Sequence, residues 1–138
     1  MTRASVRSLF RANLGTLRRV AASDLAVSLV FGSSSDFPAK RDYAYCSWDP
    51  AKGKATITVA PRIVRAGRPR ALALLRHELA HAFLMAQELP HTERECDEVA
   101  ERLFGAAIYY DADDVQTTDA VRAAHRHRPA HLPTGEGS

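Results

Sequence analysis

Six residues in the middle of the chain, Arg76-His77-Glu78-Leu79-Ala80-His81, constrain its fold more than any other feature. They carry a His-Glu-x-x-His pattern inside a run whose spacing predicts one long helix from Pro69 to Glu88. On a helix, residues four apart share a face with Cβ atoms roughly 5 to 6 Å apart, so His77 and His81 can offer two imidazoles to one metal ion. Glu78 points about 100° away from His77, outside the coordination sphere and within reach of a metal-bound water. The bland alternative is a pair of histidines on a part-buried helix making ordinary hydrogen bonds. The agreement of helix, flanks and a downstream acidic helix weighs against it.

The wheel of this segment has three sectors. Leu72, Leu75, Leu79, Ala82, Phe83 and Ala86 gather on one side, expected to pack on the rest of the domain. His77 and His81 lie on another, flanked by Leu74 and Leu84, while Arg76, Ala80 and Gln87 form a third that is expected to face water. A helix that buries one stripe and offers histidines along another suits the wall of an active site.

At 138 residues the chain is long enough for one core and too short for two. Its 46% hydrophobic and 25% charged residues suit a globular domain over residues 1–118. Beyond it the composition turns to Arg, His, Pro and Gly, and 119–138 is expected to be a flexible tail rather than a source of ligands, with His125, His127 and His131 in it. The start, Met1-Thr2-Arg3-Ala4-Ser5, lacks a signal-peptide core and no apolar run reaches membrane-spanning length, so a cytoplasmic protein without a membrane partner is expected. A net charge of +3 is mild. The arginines near both ends and at 62, 65, 68 and 70 make nucleic acid a weak second partner class, since such charge is mostly solvated surface. Cys46 and Cys96 form no metal or redox motif and read as buried thiols.

In chain order, Val6, Leu9, Phe10, Leu14, Leu17 and Val20 predict an amphipathic helix over 5–21. Three strands follow, at 24–31, 43–48 and 55–60, the last two joined by the turn residues Asp49-Pro50-Ala51-Lys52-Gly53 as a hairpin. The expected class is α+β: an N-terminal helix, a sheet of three or more strands, the histidine-bearing helix and one helix more.

That last helix begins after Leu89-Pro90-His91. Thr92-Glu93-Arg94-Glu95 has the form of a capping box, with Thr92 as N-cap and Glu95 reaching back to its amide. Cys96, Val99, Ala100, Leu103 and Phe104 form the buried side, and the acids among them are Glu93 and Asp97. Two buried carboxylates need partners, and a metal ion with its histidines would supply them. Glu93 is assigned as the third ligand and Asp97 as the acceptor for a ring N–H of a ligating histidine. An ideal antiparallel hairpin would instead set Asp97 level with His81; an early end to the first helix, or a crossing angle away from antiparallel, favours Glu93. His91 is a weaker third candidate.

His77-Glu78-Leu79-Ala80-His81 followed by Glu93-Arg94-Glu95-Cys96-Asp97 resembles the gluzincin pattern. It is most similar to small ImmA/IrrE-type and minimal gluzincin metallopeptidases, over roughly residues 54 to 105. The spacing between the two halves is shorter than in that pattern. The resemblance implies a zincin-like fold and one Zn2+ held by His77, His81 and Glu93. It further implies Glu78 as general base in peptide-bond hydrolysis, and an extended peptide substrate lying along the strand before the active-site helix, here 55–60. Zincins often stabilise the oxyanion with a tyrosine or histidine, for which Tyr109, Tyr110 and His91 are candidates, though packing is the commoner role for each. The competing reading is a non-catalytic module that holds a protein partner in the same cleft; zinc analysis and chelator-controlled protease assays separate the two.

Overall fold

The computed structural model describes residues 1–39 and 42–105 with their side chains, and the backbone of 125–127. In order, the elements are α1 (Arg3–Val20), β1 (Ala26–Phe31), β2 (Ala44–Asp49), β3 (Lys54–Val59), α2 (Arg68–Ala86), α3 (Glu93–Phe104) and β4 (His125–His127), with 3-10 turns at Ser34–Asp36 and Pro61–Arg65. The class is α+β: three helices among the described residues, and a small mixed sheet.

Local chemistry explains most boundaries. Ser5 donates its backbone N–H to Thr2 Oγ1 at 3.0 Å while Thr2 N donates to Ser5 Oγ at 2.8 Å, which caps the start of α1. Its buried stripe is Val6, Leu9, Phe10, Leu14 and Leu17, with Asn13 among them. The hairpin between β2 and β3 turns where the Asp49 carboxylate accepts the Ala51 N–H at 3.0 Å and Gly53 takes φ +60, a left-handed conformation that costs glycine little.

The sheet order is β1-β3-β2-β4, with β3 parallel to β1 and antiparallel to β2. Strand β3 is paired on both sides, so residues 55–60 offer no free edge along which an extended peptide could lie. Its sequence agrees: Ala55, Ile57 and Val59 are fully buried and Thr58 nearly so, and a strand covered on both faces is a central one. The strand antiparallel to β3 is β2, and His125–His127 pairs with it in parallel, Ala44 opposite His125 and Cys46 opposite His127. Those three residues fall in the segment expected to be a flexible tail; the rest of that segment lies outside the described residues.

The helices cover one face of the sheet. α2 packs on β2 and β3, and both α1 and α3 pack on α2. Enclosure from three directions buries α2 nearly all round, and the expectation that Arg76 and Ala80 face water is corrected. Ala80 is fully buried. Arg76 is half-buried, donates from Nε to Asn13 Oδ1 at 2.8 Å and stacks 5.4 Å from the Phe104 ring, so one side chain ties α2 to α1 and α3. Asn13 in turn donates to Leu9 O at 2.7 Å, which leaves this buried polar bridge satisfied. On the sheet's other face a small cluster of Phe37, Tyr45 and Ala60 forms under the loop that Arg62 clamps through the carbonyls of Phe37, Ala39 and Asp42. No described helix is long and apolar enough to cross a membrane.

The end of α2 decides what α3 can reach. The helix stops at Ala86, Glu88 adopts a left-handed φ of +55, and Leu89 donates back to Leu84 O at 3.1 Å. With Pro90 next, the chain turns within a few residues, and α3 starts at Glu93, close to the His81 turn. Thr92 Oγ1 accepts the Glu95 N–H at 3.1 Å and Glu95 Oε1 accepts the Thr92 N–H at 2.9 Å, which is the expected capping box. The backbone N–H of Thr92, then its hydroxyl, hold the Glu95 carboxyl below its ordinary range. A carboxyl lowered in the folded state stabilises above the ordinary carboxylate range and loses that contribution as pH falls through its lowered value. Thr92→Ala should cost about 1 kcal/mol, some 3–5 °C in melting temperature at neutral pH, with the difference from wild type shrinking in acid; differential scanning calorimetry from pH 7 to 3 checks both.

Candidate metal centre

His77 and Glu78 are fully buried and His81 is 1% exposed. The two imidazoles stand edge to face, with centroids 4.8 Å apart. Their Nε2 atoms converge on one carboxylate: Glu93 Oε1 lies 3.0 Å from His77 Nε2, and Glu93 Oε2 lies 3.1 Å from His81 Nε2. Their Nδ1 atoms face away from that point and are held from behind. Asp97 Oδ1 is 3.0 Å from His77 Nδ1, and His91 Nε2 is 2.6 Å from His81 Nδ1. The early end of α2 thus brings Glu93 to both Nε2 atoms and leaves Asp97, one turn further along α3, at His77 Nδ1.

Donors at about 2.0–2.1 Å from a tetrahedral zinc stand about 3.3 Å apart, so this spacing suits a shared ion as well as it suits hydrogen bonds. A second donor set is also present. The ligand atoms of His77, His81 and Cys96, all buried, lie within 4.8 Å of one another, close enough to hold a metal ion. Cys96 Sγ is 3.9 Å from His77 Nδ1, the nitrogen that Asp97 holds, and the thiol donates to His77 O at 3.2 Å. Sharing an ion with Cys96 through that nitrogen would require displacing Asp97, whereas the Glu93 set leaves both back-side partners in place.

Carboxylates gather around the buried thiol at this point. Burial pushes the Cys96 thiol well up, and the negative charges of Glu78, Glu93 and Asp97 push it further. The Cys46 thiol of β2 is likewise raised, first by burial and then by Glu78. Both thiols are free. Sequence reasoning passed over Cys96, although its place three residues after Glu93 sets it on the same helical face.

The Glu78 charge acts on both buried thiols, Cys46 and Cys96. Glu93 is the solvent-facing member of the group, its side chain 41% exposed. His91 has both ring nitrogens engaged, with His81 and with Leu89 O at 3.0 Å. Tyr109 and Tyr110 lie outside the described residues. Comparison with protein families, with curated proteins and with solved structures gave no match to this chain.

Proposed function

We propose that the chain is a metal-dependent peptidase of gluzincin type, holding one zinc ion through His77 Nε2, His81 Nε2 and the Glu93 carboxylate. The observation that carries this reading is the convergence of both Nε2 atoms on Glu93 while both Nδ1 atoms are occupied behind them. When bound there, zinc supplies a Lewis acid and lowers the pKa of its water to about 7. The chain supplies the rest. Glu78 accepts the proton of the attacking water on its carboxylate and returns it to the leaving amine nitrogen, the role of a general base turned acid. Asp97 accepts the His77 Nδ1–H, which leaves the His77 Nε2 lone pair for the ion and makes that imidazole more basic.

A mixed-peptide hydrolysis assay on the purified protein, repeated after removal of metal with 1,10-phenanthroline and again after adding zinc, tests this. Turnover should vanish with the chelator and return with zinc. Hydrolysis that ignores the chelator, or a protein that retains no zinc, contradicts it. A second reading, a module that holds a peptide without cutting it, draws on the complete burial of Glu78 and on the pairing of His125–His127 with β2. Under that reading zinc binds and no peptide is cleaved.

A further inference from the structure

From Met1 to Ser23 the sequence holds no acidic residue, while Arg3, Arg7, Arg11, Arg18 and Arg19 all fall in α1 and are all exposed. Arg18 turns to the Leu25 carbonyl, with Nη2 at 2.8 Å. Arg3, Arg7 and Arg11 recur every four residues, so they follow one face of the helix in steps of about 6 Å.

The row continues beyond the helix. Arg3 and Arg7 lie over the same ring, that of Phe31 at the end of β1, at 4.7 and 5.0 Å from its centroid. The Met1 nitrogen is 3.3 Å from Val64 O, which sets the start of α1 against the 3-10 turn Pro61–Arg65. Beside that turn lies an open hollow of about 330 Å³, lined by Ser34, Pro61, Arg62, Val64 and Arg65. Arginines from two distant parts of the sequence thus meet on one surface. Asp36, two residues after Ser34, accepts the backbone N–H and the hydroxyl of Ser33 at 2.9 and 3.1 Å. Arg3, Arg7, Arg11 and Arg65 enter no ion pair among the described residues. Like charges held side by side repel one another, and a polyanion relieves that repulsion.

The packing of α1 decides which polyanion fits. An anionic membrane holds an amphipathic helix by its apolar face, and here that face, Val6, Leu9, Phe10, Leu14 and Leu17, is buried in the core. What α1 turns outward is Arg3, Arg7 and Arg11 among the small side chains of Ala4, Ser8 and Ala12, which let a sugar-phosphate chain approach closely. In the hollow, the Arg65 guanidinium and the Ser34 hydroxyl are groups that donate to phosphate oxygens. We propose that this surface, from Arg11 along α1 to the Arg62–Arg65 turn, binds the phosphate backbone of a nucleic acid without reading its bases. It stands independently of the metal centre.

Fluorescence anisotropy of a labelled DNA single strand and of its duplex, titrated with the full chain over a series of salt concentrations, tests it. Wild type should bind with a dissociation constant of about 10^-6 to 10^-4 M at physiological salt, and log K should fall linearly with log salt. Arg7→Ala and Arg65→Ala should each reduce that slope by about 0.7–0.9, and the double variant by the sum, because one strand spans both positions. Arg7→Lys keeps the charge and should restore the slope. Arg94→Ala removes an arginine of α3 whose side chain is 85% exposed and pairs with Glu98, and it should bind as wild type does. Melting temperatures of all the variants should be alike, since each side chain is exposed. No binding at low salt overturns the proposal. So does an Arg94→Ala loss as large as that of Arg7→Ala, which would reduce the attraction to net charge. Tighter binding to phosphatidylserine vesicles than to DNA at equal salt overturns it in favour of a membrane.

Discussion

Glu78→Gln is expected to leave zinc bound at one ion per chain and to lower kcat by about 10^2–10^4-fold, the range that loss of a positioned acid–base group commands. The substitution keeps the size and shape of a fully buried side chain, so the packing of α2 is not the variable being changed. What disappears is a carboxylate able to take a proton from water and return it. A second consequence follows from its neighbours. Burial raises both Cys46 and Cys96 above the ordinary thiol value and the Glu78 charge adds to it, so removing that charge should bring both thiols part of the way back down. Zinc content by elemental analysis together with kcat on a cleaved peptide decides the matter; undiminished turnover in the Gln variant excludes Glu78 as the base.

Glu93→Ala and Cys96→Ser separate the two donor sets. If structural zinc binds with about 10–16 kcal/mol shared among four ligands, losing one costs about 3 kcal/mol, or roughly two orders of magnitude in affinity. Glu93→Ala should lose about that much. Cys96→Ser should stay within a few-fold of wild type, because a hydroxyl can still donate to the His77 carbonyl that the thiol reaches at 3.2 Å. Zinc competition titrations on the two variants give the comparison. The reverse ranking would move the ion to the Cys96 side of His77.

What could be read from the sequence was whatever short-range chemistry dictates. The Thr92–Glu95 capping box, the alternation in 43–48 and 55–60 around Asp49–Gly53, and the i, i+4 spacing of His77 and His81 are local signals, and the elements formed where they pointed. What could not be read depends on contacts between distant segments. Nothing within residues 55–60 says that β1 will pair on the outer side of β3 and make it central. Ala80 and Arg76 fall on the polar sector of the wheel, and α1 and α3 enclose that sector all the same. The left-handed turn at Glu88 was hidden because glutamate does not advertise that conformation as glycine or asparagine would. It was also decisive, since it shortens α2 and brings Glu93 within reach of both histidines.

The most direct test of the central claim is X-ray absorption at the zinc edge on the metal-loaded full chain, which reads the atoms around the ion without reference to activity. The expected result is a first shell of nitrogen and oxygen alone at about 2.0–2.1 Å, with the outer-shell pattern of two imidazoles. A sulfur neighbour near 2.3 Å would place Cys96 in the shell and contradict the assignment of Glu93, and a chain that holds no zinc would contradict the metal centre itself.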